Sequence, residues 1–241
     1  MQYRFVDCRY ELGKPERGRE LYLQGHIPGA SFLDLDTDLA DLSVQGAGRH
    51  PLPSAEHFAE AVSRAGIGPG VLVVAYDQGM TGGAARLWWL LRHFGHEDVA
   101  VLDGGIAAWI GPLAAGEEKP EPALFVPKPR SGDTIDADEL LRRLGEAGLV
   151  VVDARAPERF RGEIEPIDPV AGHIPGAVNV PYTDSTPPGE VLEAGELIVY
   201  CGSGVTACVD LLALHAAGRS DAKLYPGSWS DWSTRGLPAA T

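Results

Sequence analysis

Cysteine is scarce in this chain. Its 241 residues hold three, Cys8, Cys201 and Cys208, and no two of them form a CxxC pair. So few thiols exclude a disulfide scaffold and the usual zinc or dithiol spacing, and they suit a reducing compartment. Positive charge is also short, with 20 Lys and Arg against 34 Asp and Glu and a net charge of −14. A nucleic-acid or anionic-membrane partner would demand a basic surface, so neither is expected. Long apolar runs are missing as well, since nothing approaches the roughly 18 residues of a membrane span. The opening stretch is charged within four positions and has no apolar core of a secretory signal. A cytoplasmic, soluble protein is the expectation.

What the chain does have is a repeat. The hexapeptide GHIPGA occurs at residues 25–30 and again at 172–177, and each copy follows a VDxR tetrad, VDCR from Val6 and VDAR from Val152. The parallel continues, with VLVVAYDQG at 71–79 facing ELIVYCGSG at 196–204. Two copies are too few for a solenoid and read as one duplicated module. Within the first copy, Ser54 opens a helix whose Phe58, Ala61, Val62 and Ala65 recur at helical spacing, with Gly66 as its stop. The strand VLVVAY, the helix GAARLWWLLRHFG and the strand VAVL come next. Buried strands alternating with helices predict an α/β fold with a mostly parallel sheet covered by helices in each module. Residues 113–133, rich in proline and charge and without periodicity, read as a linker between modules at 1–112 and 134–241. The five tryptophans, Trp88, Trp89, Trp109, Trp229 and Trp232, are expected in the cores.

Duplication separates scaffold from chemistry, because residues the fold needs should appear in both copies. By that test His26 and His173 shape the GHIPG turns, and Arg9 and Arg155 are structural. Cys201 is different: its counterpart in the first module is Asp77. It ends the run LIVY, where parallel α/β units gather ligands, and Gly202, Ser203 and Gly204 let backbone N–H groups turn inward beside the start of a helix expected near Val205. A thiolate is stabilised there and is nucleophilic. Cys8 and Cys208 have no such loop and read as buried core. A phosphatase would need an arginine where Ala207 stands, and a P-loop would need a lysine followed by Ser or Thr.

With these features in hand, the chain resembles the two-domain rhodanese-like sulfurtransferases over nearly its whole length. That resemblance implies two tandem rhodanese-like modules, the first without a nucleophile and the second cycling its cysteine between thiolate and persulfide. The loop CGSGVTA at 201–207 is similar to that of the 3-mercaptopyruvate branch, whereas thiosulfate-using members have basic residues after the cysteine. It implies catalytic roles for Cys201, Ser203, Asp36 and His50, and donor binding by Arg159 together with Gly202, Gly204, Val205 and Thr206. Asp36 and His50 fall where the first module spans 51 residues between His26 and Asp77, against 28 between His173 and Cys201. Such an insertion is a plausible source of active-site parts. The family's second carboxylate-binding arginine corresponds to Ile167, a departure from its pattern, and Arg161 reads as a surface charge or as a partner behind the binding residues.

The implied reaction moves sulfane sulfur from 3-mercaptopyruvate through Cys201 to cyanide or a small thiol or thioredoxin, with no cofactor or metal. A monomer is expected. Thiosulfate as the donor, or a persulfide-carrying or redox-sensing module with little turnover, are the alternatives.

Overall fold

Two four-stranded parallel sheets, each flanked by helices, organise the computed structural model, which describes residues 2–184 and 186–241. The first sheet has the order β2-β1-β3-β4, from β1 (Gln2–Asp7), β2 (Ser31–Phe32), β3 (Val71–Tyr76) and β4 (Val99–Val101). Its helices are α1 (Arg17–Gln24), α2 (Ala55–Arg64) and α3 (Gly83–His93). The second sheet repeats that order as β6-β5-β7-β8, from β5 (Leu149–Asp153), β6 (Val178–Asn179), β7 (Glu196–Tyr200) and β8 (Lys223–Leu224). With it go α4 (Ala137–Arg143), α5 (Pro157–Phe160), α6 (Gly189–Leu192), α7 (Ala207–Ala216) and α8 (Ser228–Thr234). Among the described residues, every pairing between these strands is parallel, as buried β-branched strands separated by helices require.

The chain divides into two compact units. Unit 1 comprises residues 1–41 and 52–130, and unit 2 comprises 42–51 and 131–241. Of the stretch 113–133, residues up to Arg130 therefore group with unit 1. The N–H groups of Lys128 and Arg130 donate to the carbonyls of Phe94 and His93, and Phe125 packs edge-on against Phe58. The segment 42–51, drawn from the insertion of the first module, belongs to unit 2.

In unit 1, Ser54 caps α2 by accepting from the His57 N–H, and Phe58, Ala61 and Val62 are buried at the predicted spacing. The core of unit 2 is built by Val151, Ile174, Ile198, Tyr200, Tyr225, Trp229 and Trp232. Trp88 and Trp89 are also buried, but Trp109 is only half-buried; it meets Phe5 edge-on and its indole N–H donates to the Pro112 carbonyl.

The repeated residues build the same turn twice. Asp7 accepts from the Arg9 guanidinium at 2.6 Å, and Asp153 from Arg155 at 2.6 Å. Each arginine also donates to the carbonyl before its histidine, Gly25 or Gly172. His26 stacks on Tyr22 and bonds the Tyr22 carbonyl through Nδ1, while His173 stacks on Phe160 and bonds the Phe160 carbonyl likewise. The hydroxyls of Tyr76 and Tyr200 accept from the N–H groups of Ile27 and Ile174. These residues are engaged in holding strand ends to turns, as residues present in both copies should be. Among the described residues no helix is long and apolar enough to cross a membrane.

Candidate active site

The end of β7 delivers Cys201 into a loop that closes around its sulfur. The residue is 1% exposed, and the Gly204 N–H points at Sγ from 3.1 Å. Gly204 has φ +76°, and a Cβ there would lie 2.5 Å from the Pro226 carbonyl oxygen. Only glycine makes this turn without displacing backbone. The loop is fastened to the start of α8. The Cys201 N–H donates to Ser228 Oγ, while the carbonyls of Cys201 and Gly202 accept from the N–H groups of Trp229 and Ser230. Ser228 has φ +53°, a costly conformation for a side chain, and its hydroxyl in turn donates to the Tyr225 carbonyl.

Helix α7 starts at Ala207, two residues beyond the expected position near Val205, with Thr206 as its N-cap and Val205 buried. Its first turn lies six residues after Cys201, so the positive end of its dipole serves the loop. Cys208 sits inside this helix with its thiol directed at the Gly204 carbonyl, and Cys8 is buried in unit 1. Burial, reinforced by Asp7, pushes the Cys8 thiol well up and keeps it neutral.

His50 and Ser203 meet. His50 Nδ1 and Ser203 Oγ are 2.8 Å apart, with both residues buried in unit 2. The segment 42–51 thus brings an imidazole to the residue two positions after Cys201. Asp36 belongs to unit 1, where its N–H donates to Asp34 and it lines a cavity of about 540 Å³ with Asp38 and Arg64.

Arg159, on α5, is held by two carboxylates. Its Nη2 donates to Glu165 at 2.7 Å and to Asp168 at 3.0 Å. A Cβ added to Gly202 would lie 3.4 Å from Arg159 Nη1, so the free edge of the guanidinium faces the residue next to Cys201. Burial works against ionised Glu165, but the Asp168 N–H and the Arg159 guanidinium hold its carboxyl below the usual range. Ile167 is exposed and only its N–H engages Glu165. Arg161 pairs with Glu163 at the surface.

One residue at the site escaped the reading of the sequence. Arg49 approaches the Gly202 position to 3.6 Å through Nη1 and bonds Asp168 through Nη2 at 2.5 Å. Its signal was present, a basic residue beside His50 in the same insertion, but adjacency in sequence does not say which way a side chain points.

A model of the Rhodanese-like domain matches residues 1–111 and 136–235. Among curated relatives, a "Probable 3-mercaptopyruvate sulfurtransferase" of Pseudomonas aeruginosa is 45% identical, covering 95% of this chain and 88% of that protein. A "Putative thiosulfate sulfurtransferase SseB" of Mycobacterium tuberculosis is 42% identical over 95% of this chain and 87% of its own length. Among solved structures, SseA from Escherichia coli, described with the 3-mercaptopyruvate sulfotransferases, superposes with a TM-score of 0.81 at 35% identity, over 95% of this chain and 93% of that one.

Proposed function

The chain belongs to the rhodanese-like family, and from that premise we propose that it is a sulfurtransferase whose Cys201 takes sulfur from 3-mercaptopyruvate. The observation that carries the mechanism is the seat of Cys201, a buried sulfur facing a loop N–H at 3.1 Å with a guanidinium edge beside the next residue.

The donor carboxylate binds Arg159, a fork of N–H donors that suits it. The Cys201 thiolate attacks the donor sulfur, forming an S–S bond as the carbon–sulfur bond breaks. The electron pair goes to the donor carbon as the enolate of pyruvate. The donor's thiol proton passes to that carbon, giving pyruvate and leaving Cys201 as a persulfide anion. Ser203 and His50, 2.8 Å apart, are placed in this reading as the proton relay. Asp36 is assigned a supporting role in it. Gly202, Gly204, Val205 and Thr206 supply the loop around the sulfur, whose N–H groups favour both anions. A nucleophile, cyanide or a small thiol or reduced thioredoxin, then bonds to the outer sulfur and Cys201 leaves as thiolate. Two half-reactions give ping-pong kinetics. Monomeric, cytoplasmic operation completes the proposal.

A second donor, thiosulfate, is favoured by one observation, the name of the Mycobacterium tuberculosis relative. Comparing kcat/KM for the two donors tests the choice. A higher value for 3-mercaptopyruvate is expected, and a clear preference for thiosulfate overturns it.

A further inference from the structure

Ile167 leaves the site one guanidinium short of the pattern implied by the resemblance, yet a second guanidinium is present. Arg49 reaches Gly202 from a different part of the chain. Its Nη1 and that of Arg159 stand 3.6 Å and 3.4 Å from the Cβ position of Gly202. The opposite edges are anchored on one carboxylate, Arg49 Nη2 on Asp168 Oδ1 and Arg159 Nη2 on Asp168 Oδ2. Asp168 is nearly buried, so it aligns both forks rather than competing from solvent. Among the described residues, neither Nη1 has a hydrogen-bond acceptor.

The backbone is built to hold Arg49 there. Gly48, at φ +87°, lies so close to the 227–230 turn that a Cβ would stand 2.5 Å from the Gly227 carbonyl oxygen. The Arg49 N–H donates to Ser230 Oγ, and the Ser230 N–H donates to the Gly202 carbonyl. The turn that fastens the nucleophile loop therefore also fastens Arg49. Ile167, Asp168 and Arg49 line one cavity of about 330 Å³, so the position without a guanidinium and the one with it are neighbours.

We propose that Arg49 and Arg159 form a two-guanidinium clamp for the donor carboxylate, with Arg49 supplying the contact that Ile167 cannot make. This rests on the donor reading above. Two forks held by one aspartate fix the direction of a small carboxylate as well as its affinity, and so the approach of its sulfur to Cys201. Since Arg49 binds ground state and transition state alike, its loss should appear in KM rather than kcat.

The test compares wild type, Arg49→Ala, Arg49→Lys and the double variant Arg49→Ala with Ile167→Arg. Steady-state kinetics with 3-mercaptopyruvate is paired with calorimetric titration of pyruvate, a carboxylate without transferable sulfur. Arg49→Ala should raise KM about tenfold or more and weaken pyruvate by a similar factor, the size of one charge-assisted contact, with kcat within about threefold. The double variant should recover part of both losses, which a merely structural role would not allow. If the alanine variant does not fold, Arg49→Lys keeps the charge beside Asp168 but loses the fork, and a raised KM at unchanged kcat still supports the clamp. An unchanged KM and pyruvate affinity in a folded Arg49 variant, while wild type turns over 3-mercaptopyruvate, overturns the clamp alone. A wild type that releases no pyruvate from 3-mercaptopyruvate overturns the donor reading and the clamp with it.

Discussion

The two units place different residues in the same backbone position. Asp7 pairs with Tyr76 across β1 and β3, and Asp153 with Tyr200 across β5 and β7, so Asp77 and Cys201 are equivalent. In both, the next helix begins six residues later, at Gly83 or Ala207, and the third residue of the loop turns through positive φ, Met80 at 59° or Gly204 at 76°. In unit 1 the carboxylate of Asp77 fills the loop, accepting the N–H groups of Gly79, Gly82 and Ala84 at 2.8, 3.1 and 3.2 Å. In unit 2 the loop holds a sulfur facing Gly204. The lesson is that this loop is built for a negative group. Unit 1 seals it with a fixed side-chain carboxylate, whereas unit 2 places there an atom that can bond outward.

That comparison can be broken most severely at Cys201. Cys201→Ala should lower sulfur transfer by about 10³-fold or more, since the covalent route is removed, and donor-treated protein should gain no sulfur by intact mass. Pairing it with Asp77→Cys sharpens the point. The added thiol in unit 1 should restore no turnover, because His50, Ser203 and Arg159 belong to unit 2; recovery of activity would show that the loop alone suffices.

Next in size, His50→Gln should lower kcat by about 10²-fold, the usual worth of a positioned proton-transfer group. An unchanged kcat would reduce His50 to a partner that holds Ser203.

A smaller effect is expected in unit 1. Asp77→Ala should destabilise the fold by about 1–3 kcal/mol by leaving buried N–H groups without their acceptor. Denaturant melts should detect this, with persulfide formation at Cys201 intact. A stable Asp77→Ala protein would mean the seal is dispensable.

An effect that varies with pH comes from Asp210, on α7. Burial, then the nearby charges of Asp153 and Asp184, push its carboxyl up from an ordinary 3.8 to about 8. The folded state therefore keeps a proton that the unfolded chain releases near pH 4. As pH rises from about 4 to about 8, this group subtracts up to about 1.4 kcal/mol of stability per pH unit. Asp210→Asn should remove that slope, so its melting temperature should gain more over wild type at pH 8 than at pH 5. Equal gains at both values would contradict the buried, protonated carboxyl.

How much of this was legible in the sequence depended on whether the information was local. The duplicated VDxR and GHIPGA segments revealed the two units and separated His26, His173, Arg9 and Arg155 from the chemistry, because each makes contacts with a strand end and turn of its own unit. Cys201 was legible through its glycine-rich loop. The pairing of His50 with Ser203 was accessible only by resemblance, since it joins residues 153 positions apart. Arg49 was visible only as a basic residue beside His50: its placement next to Gly202 depends on segment 42–51 packing within unit 2, which no periodicity encodes. Nor could the strand pattern tell that Ser228 would take the positive-φ position filled by Gly105 in unit 1. Here a serine accepts backbone strain, and its hydroxyl receives the N–H of Cys201.

Passage of sulfur from 3-mercaptopyruvate through a Cys201 persulfide is tested by treating the wild-type protein with that donor without acceptor, measuring intact mass and released pyruvate, and mapping the added sulfur by peptide. One sulfur atom is expected on the peptide bearing Cys201, with pyruvate in equal amount and loss of the added mass when a thiol is supplied. Sulfur on Cys8 or Cys208 in place of Cys201, or pyruvate released while the protein gains no sulfur, would contradict it.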